Sequence, residues 1–213
     1  MKNDITEVVF ILDKSGSMSG FEADTVGGFN SVIKEQKDGV GRVFVSTVLF
    51  SNDSRVLHDR LDVKEIKPME TNDFRVGGGT ALFDAVGDAI RHIGNIHKYA
   101  RQEDIPGRTI FFIMTDGMEN ASRRYSRKDV KAMIERQRKK YGWEFIFLAS
   151  NIDVEETAES LGIFYDEPYE QTESGFEDCF DDICSILTKT RRRESIDKND
   201  LTRKKKDKKE DRK

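Results

Sequence analysis

The stretch Phe10–Gly20, FILDKSGSMSG, decides how the rest of the chain is interpreted. It begins inside an unbroken apolar run, Val8–Leu12, which is rich in β-branched and aromatic residues. Such a run is typical of a strand that is buried on both faces, as in a parallel sheet covered by helices. Asp13 follows the run directly, so it is predicted to lie where the strand gives way to a loop.

Three hydroxyl side chains follow Asp13 in the same loop, at Ser15, Ser17 and Ser19. A carboxylate and hydroxyls at alternate positions of a tight loop can direct their oxygens at one point, with Ser19 better suited to a helix start. Hard oxygen ligands without histidine or cysteine favour Mg²⁺, Mn²⁺ or Ca²⁺ over Zn²⁺. A serine- and glycine-rich turn that caps the following helix would contain the same residues. This stretch alone therefore leaves a metal site and a capping turn open.

Apolar runs and amphipathic stretches alternate along the rest of the chain. Predicted strands cover residues 43–50, 109–114, 144–149 and 162–165, and a more polar strand at 55–58 is predicted as an antiparallel edge. Predicted helices cover residues 22–37, 80–96, 126–140, 154–161 and 176–187. The Gly27-Gly28 pair in the first helix indicates close packing against the sheet. The predicted fold class is α/β, a doubly wound, mostly parallel central sheet with one antiparallel edge strand and helices on both faces.

Composition predicts one domain followed by a distinct tail. A length of 213 residues suits one substantial domain and leaves little room for a second. Residues 191–213 contain twelve Lys and Arg against six Asp and Glu, whereas residues 1–190 carry a net charge of −10. We therefore expect a domain over residues 1–190 and a basic, disordered tail over residues 191–213, which has too few apolar side chains to offset the entropy of ordering.

The sequence also predicts a cytoplasmic protein without membrane contacts. No apolar run reaches the ~18 residues of a membrane span, and the N-terminus lacks the apolar segment of a signal peptide. Cys179 and Cys184 fall on different faces of a helical pattern and are not expected to pair. Buried, reduced thiols agree with a reducing compartment.

A second aspartate, Asp116, follows a predicted strand and is expected to lie near Asp13. The apolar run 109–114 ends at Asp116, as the first run ends at Asp13. Open parallel sheets bind ligands beyond the carboxyl ends of their strands, at the point where strand order reverses. Gly77–Gly79 allows a close backbone approach, and Thr80 follows it at a predicted helix start. Thr80, Ser15 and Ser17 would then surround one small ion together with both aspartates. The alternative that Thr80 only caps the helix stays open.

These five positions resemble the metal-ion-dependent adhesion site of the von Willebrand factor type A (vWA) family, a Rossmann-like fold that includes the integrin inserted domain. The family site uses an Asp-x-Ser-x-Ser motif after the first strand, a threonine in the next ligand loop and an aspartate after the fourth strand. The matching residues in this chain are Asp13, Ser15, Ser17, Thr80 and Asp116. The resemblance covers roughly residues 5–187 and leaves the basic tail outside.

The resemblance implies a metal-dependent protein-binding module of the stand-alone bacterial type, acting as an adaptor or scaffold. The hydroxyls would contact a divalent cation, with Mg²⁺ favoured and Mn²⁺ or Ca²⁺ as alternatives, and the aspartates would bind it directly or through water. An open coordination position would accept a Glu or Asp of a partner protein. Mg²⁺ suits such an incomplete protein cage because it retains waters readily.

The sequence does not favour an enzyme. A haloacid-dehalogenase-type phosphatase needs a second aspartate two residues after Asp13, and Ser15 stands there. A serine-hydrolase elbow needs G-x-S-x-G, but Met18 lies at the centre of Gly16–Gly20. The alternative function is association with RNA through the basic tail, for which vWA-like RNA-binding proteins are a family precedent. The acidic domain and a tail without aromatic residues for base stacking weigh against it.

Overall fold

A computed structural model describes residues 4–196 as one α/β sandwich. The strands of this part of the chain are β1 (Ile5–Asp13), β2 (Arg42–Phe50), β3 (Ser54–Asp62), β4 (Arg108–Thr115), β5 (Glu144–Ala149) and β6 (Tyr165–Pro168). Its α-helices are α1 (Glu22–Lys37), α2 (Leu82–Tyr99), α3 (Arg127–Tyr141), α4 (Val154–Ser160) and α5 (Glu173–Arg191). Short 3₁₀ helices occur at Gly16–Met18, Val63–Glu65 and Gln102–Asp104.

The strands form one six-stranded sheet in the order β3-β2-β1-β4-β5-β6. All neighbouring pairs are parallel except β2 and β3, which are antiparallel, so β3 is the predicted antiparallel edge. Chain order runs from β1 outward to β3 on one side and from β4 outward to β6 on the other. The β1–β4 boundary is therefore the point at which strand order reverses, and the predicted fold class is confirmed.

Alternate side chains of the central strands enter two separate cores. Phe10 of β1 and Phe112 of β4 stack with ring centroids 5.5 Å apart in the core that α1 and α5 cover. Ile11 and Phe111 point to the opposite core, which α2, α3 and α4 cover. Both faces of these strands are buried, which explains why their sequences are unbroken apolar runs rather than alternating ones.

Gly28 of α1 allows a close helix–helix approach rather than the predicted approach to the sheet. A β-carbon built on Gly28 would overlap the ring of Phe180 in α5. The same construction on Gly27 meets nothing within 4 Å. The glycine pair therefore marks where α5 crosses α1, and only its second member is needed for that contact.

The predicted strand at 162–165 is wrong in its position, because those residues mostly end a helix. Gly162 has a φ of +73° and its N–H donates to the carbonyl of Glu159, while the N–H of Ile163 donates to that of Ala158. These bonds close the C-terminal turn of α4. Ile163 enters the core from this turn, and β6 begins only at Tyr165.

The end of α5 belongs to the folded domain. Arg191, which the charge pattern assigned to the tail, is the last residue of α5 and is buried against the end of α1. Ile196 is buried in the core shared with α1. The rest of the predicted tail, residues 197–213, lies outside the described residues.

Cys179 and Cys184 of α5 are both buried, as predicted. None of the helices within residues 4–196 has the length and apolar character needed to cross a membrane. The cytoplasmic location stays a prediction.

Candidate metal centre

The two predicted aspartates lie together at the reversal point of the sheet. Asp13 is the last residue of β1, and Asp116 follows the last residue of β4 directly. The two strands are hydrogen-bonded neighbours in register, with Leu12 opposite Met114. Because parallel strands end at the same edge, both carboxylates enter the crevice beyond that edge.

The loop after β1 folds tightly around the Asp13 carboxylate. Asp13 Oδ1 accepts the backbone N–H of Ser15 at 2.7 Å, and the chain then enters the 3₁₀ helix Gly16–Met18. The side chain of Met18 is fully buried and anchors this turn in the core. Phe21 occupies the N-cap of α1, where it makes no side-chain capping bond. The interpretation of the loop as a helix cap is therefore wrong, and its hydroxyls are available for another role.

Hydroxyls connect the two carboxylates in one network. Ser17 Oγ lies 3.1 Å from Ser15 Oγ and donates to Asp116 Oδ1 at 2.6 Å. Thr115 Oγ1 donates to the second oxygen of Asp13, Oδ2, at 2.6 Å. Four of the five predicted site residues are therefore joined by direct hydrogen bonds.

Thr80 approaches the same network from the loop before α2. A β-carbon built on Gly117 would lie 3.5 Å from Thr80 Oγ1 and 3.6 Å from Ser17 Oγ, so both hydroxyls border one point. The N-cap of α2 is Ala81 and not Thr80, and α2 begins at Leu82. The predicted helix start at Thr80 and the plain-cap interpretation are therefore both wrong, and the threonine hydroxyl borders Gly117, as the Ser17 hydroxyl does.

Asparagine side chains hold the Thr80 loop in place. Asn120 Oδ1 accepts the backbone N–H of Thr80 at 2.9 Å, and Asn52 Oδ1 accepts that of Gly79 at 2.7 Å. The carbonyl of Gly78 accepts the N–H of Gly16 at 3.0 Å, which ties this loop to the first one. A side chain at position 79 would collide with both asparagines.

The centre is acidic, buried and without a neutralising cation. Asp13 and Asp116 are 1% and 2% exposed. Burial raises the pKa of Asp13 above its usual value, and the charge of Asp116 acts in the same direction, whereas hydrogen bonds from Thr115 and Ser15 oppose the shift. Within residues 4–196 neither carboxylate has a lysine or arginine partner, and the amine of Lys14 points instead to Ser51 Oγ at 3.3 Å. The two negative charges are stabilised by hydroxyl and amide donors alone.

The donor set fits a hard divalent cation. No group of three or more His, Cys, Asp or Glu side chains in the described part of the chain is arranged to hold a metal, so a site here depends on hydroxyl ligands beside the two carboxylates. The residues that could hold a cation contribute two carboxylates and three hydroxyls, and hard ions such as Mg²⁺ prefer oxygen ligands of this kind. A dication would also offset the mutual repulsion of the buried pair.

Several residues that complete the centre were not predicted. Gln171 Nε2 donates to Asp116 Oδ2 at 2.7 Å from the loop between β6 and α5, and Tyr169 donates to the carbonyl of Thr115 at 3.2 Å. Thr115 could have been suspected, because a polar residue ends an otherwise apolar strand beside Asp116. Gln171 lies 55 positions from its partner and has no local signal.

Two acidic side chains near the centre fasten the loop after β4. Glu119 accepts the N–H of Phe83 at 2.9 Å, and Asp84 accepts the N–H groups of residues 123–125 at 2.9–3.0 Å. Burial would raise the pKa of Asp84, but these backbone bonds and the charge of Arg124 lower it overall. Both carboxylates therefore attach α2 to this loop.

The sequence matches no known family profile and none of the curated proteins. Solved structures are similar in fold. A von Willebrand factor type A protein from Catenulispora acidiphila is 13% identical with a TM-score of 0.63, and the match covers 87% of this chain and 43% of that one. The ArnB paralog VWA2 from Sulfolobus acidocaldarius is 19% identical with a TM-score of 0.52, covering 84% and 45%. Manganese-loaded TRAP protein from Plasmodium vivax is 13% identical with a TM-score of 0.58, covering 83% and 75%. The chain therefore spans less than half of the first two structures.

Proposed function

From the von Willebrand factor type A fold that this chain has, we propose that it is a metal-dependent protein-binding module without catalytic activity. Mg²⁺ would be held by the hydroxyls of Ser15, Ser17 and Thr80, with Asp13 and Asp116 bound directly or through water. The observation that carries the proposal is the buried carboxylate pair, which adjoins three hydroxyls and has no cation partner among residues 4–196. A bound cation would supply an electrophilic position that accepts the carboxylate of a Glu or Asp in a partner protein.

The surface around the centre supports a protein partner. Ser17 is exposed while Ser15 and Asp13 beneath it are buried, so the centre opens to solvent on one side. Met118, two residues after Asp116 in the chain, is an apolar side chain that is 72% exposed. Methionine is among the side chains that are enriched at protein interfaces.

The experiment compares Ser17→Ala with Ser19→Ala in the same loop. Ser17 joins the hydroxyl–carboxylate network, whereas the exposed Ser19 makes no side-chain hydrogen bond to any residue in the described range. Saturating Mg²⁺, at one hundred times its dissociation constant, should stabilise the unsubstituted protein by about 2.7 kcal/mol against urea. Ser19→Ala should retain this gain and Ser17→Ala should lose most of it.

Partner binding is tested by affinity capture from source lysate with Mg²⁺, with EDTA and with Ser17→Ala, followed by mass spectrometry. We expect proteins that are captured in Mg²⁺ by the unsubstituted chain and by Ser19→Ala, and that are not captured in EDTA. Capture that is unchanged in EDTA would remove the proposed role of the metal.

Association with RNA through the basic tail remains the alternative. It depends mainly on residues beyond Ile196, and a truncation to test it should end there, because Arg191 and Ile196 are buried in the domain. RNA retention by the full chain and the truncated chain across a salt series distinguishes a binding tail from a solvated one.

A further inference from the structure

A cavity lies at the opposite end of the sheet from the candidate metal centre. It has a volume of about 620 Å³ and opens between the C-terminal halves of α2 and α3, beside the segment 105–109 that leads into β4. The eight residues of β4 separate it from the aspartates by roughly 25 Å. Ligand cavities commonly have volumes of about 300–1,000 Å³.

The rim of this cavity is strongly basic. Arg91 and Lys98 reach it from α2, and Arg136 and Lys140 reach it from α3, while none of its lining residues is acidic. Lys140, whose amine lies 5.2 Å from the centroid of the Tyr141 ring, and Arg136 together lower the pKa of the Tyr141 phenol. Residues 1–190 carry a net charge of −10, so this cluster of four cationic side chains is opposite in sign to the domain as a whole.

The floor of the cavity contains buried apolar side chains. Trp143 lines it and is only 5% exposed, with its indole stacked on Phe111 at 5.3 Å between centroids. His97 is held between the Trp143 ring at 5.3 Å and Glu7 Oε2, 3.3 Å from its Nε2. The buried Glu7 carboxylate also accepts from Arg60 Nε at 2.8 Å, so a guanidinium group partly offsets its negative charge.

Helix ends explain only part of this basic rim. Cations are favourable in the last turn of a helix, where the carbonyl ends carry partial negative charge, and Lys98 and Lys140 occupy such positions. Arg91 and Arg136 lie before the last turn, where this effect has faded. Spacings of seven residues in α2 and four in α3 place each pair of cations on one helix face, directed at the same cavity.

We propose that this cavity binds a nucleotide-sized organic phosphate, with its phosphates on Arg91, Arg136, Lys98 and Lys140 and its planar part above the apolar floor formed with Trp143. Arginine and lysine are the usual phosphate partners in proteins, and an apolar floor with a few charged groups at the rim is the common composition of a small-molecule site. The site is independent of the candidate metal centre and needs no divalent cation.

The single tryptophan of the chain makes the test direct, because Trp143 lies inside the cavity. ATP is titrated in EDTA, which keeps it from binding through a metal, and fluorescence and heat are both recorded; adenosine is the uncharged control. We expect saturable binding of ATP, competition by inorganic pyrophosphate, and no binding of adenosine at the same concentrations.

Two double variants locate the binding. Arg136→Gln with Lys140→Gln should weaken ATP binding by at least about tenfold, since two charge-assisted contacts are lost. Arg127→Gln with Lys128→Gln removes the same charge from the exposed first turn of α3 and should leave the affinity within about twofold. Urea denaturation of both variants checks that each is folded.

Three results would overturn the proposal. The first is an absence of saturable heat and fluorescence change with ATP. The second is equal binding of adenosine and ATP, which would mean that the phosphates do not contribute. The third is an equal loss of affinity in both double variants, which would mean that ATP responds only to the net charge of α3.

Discussion

Replacing Arg191 by alanine should strongly destabilise the domain, because its guanidinium group fastens the end of α5 to the end of α1. Its Nη1 donates to the carbonyl of Gln36 at 2.7 Å and to Oε1 of the same residue at 2.9 Å. Its Nε donates to the carbonyl of Val40 at 2.8 Å. The residue is 8% exposed, and burial lowers its pKa, so desolvation offsets part of what these bonds contribute.

The expected loss follows from the acceptors that the variant would leave without a donor. A hydrogen bond to a charged group contributes about 1.5–3 kcal/mol, and a buried acceptor without a donor costs a similar amount. Both Gln36 acceptors are buried, whereas the carbonyl of the exposed Val40 can be rehydrated. After the desolvation of the guanidinium is subtracted, we expect a loss of about 3 kcal/mol in the free energy of unfolding. For a domain of this size that lowers Tm by about 6–12 °C.

Urea denaturation followed by circular dichroism measures the loss, with Arg192→Ala as the matched control. Arg192 is the next residue in the same basic run and is exposed, so its replacement should change the free energy of unfolding by less than about 0.5 kcal/mol. Equal stabilities of the two variants would refute the inference that the end of α5 is an integral part of the domain.

Three further predictions concern single side chains. Gly28→Ala should destabilise the domain by about 1–3 kcal/mol because the added methyl group overlaps an aromatic ring of α5, whereas Gly27→Ala should stabilise it by about 0.5–1 kcal/mol. Thermal unfolding compares the two variants, and a shift of Tm with the same sign in both would contradict the reasoning. Thr115→Val should lower the free energy of unfolding by about 1–3 kcal/mol, because Oδ2 of the buried Asp13 loses its hydrogen-bond donor. Urea denaturation without metal measures this loss, and an unchanged midpoint would argue against the hydrogen bond. Burial raises the pKa of Tyr169 well above 10.0, so the folded state holds the phenol proton more tightly than the unfolded chain does. The stability that this phenol contributes should be complete below pH 10.0 and decline as the pH rises further, and Tyr169→Phe should reduce that alkaline decline in urea denaturation across pH.

The placement of the aspartates could be predicted because it depends on backbone topology. Asp13 and Asp116 each follow an unbroken apolar run, and the carboxyl ends of neighbouring parallel strands meet at one edge whatever the details of packing. The convergence of Thr80 with them was also expected, but its exact place was not. Whether a helix begins at Thr80 or at Leu82 depends on the bonds that Asn120 makes across the loop.

Other features depended on tertiary contacts that no local pattern records. Ile163 is apolar because it fills the core from a helix-ending turn, which gave it the appearance of a strand residue. Arg191 has the same type of side chain as its neighbours in the basic run, yet its guanidinium group reaches the carbonyls at the end of α1. Gln171 reaches Asp116 only because the loop after β6 returns to the top of the sheet.

The central position of β1 has a consequence for synthesis of the chain. Ser17 and Asp116 are 99 positions apart, and β1 stays uncovered on one edge until β4 has left the ribosome. At about 5–20 residues per second this interval lasts roughly 5–20 s, during which a strand with two apolar faces lacks its neighbour. Loop closure over such distances is slow, so the oxygen cluster forms only late in folding. A cation that binds this cluster would therefore distinguish a chain in which β1 and β4 have paired from one in which they have not.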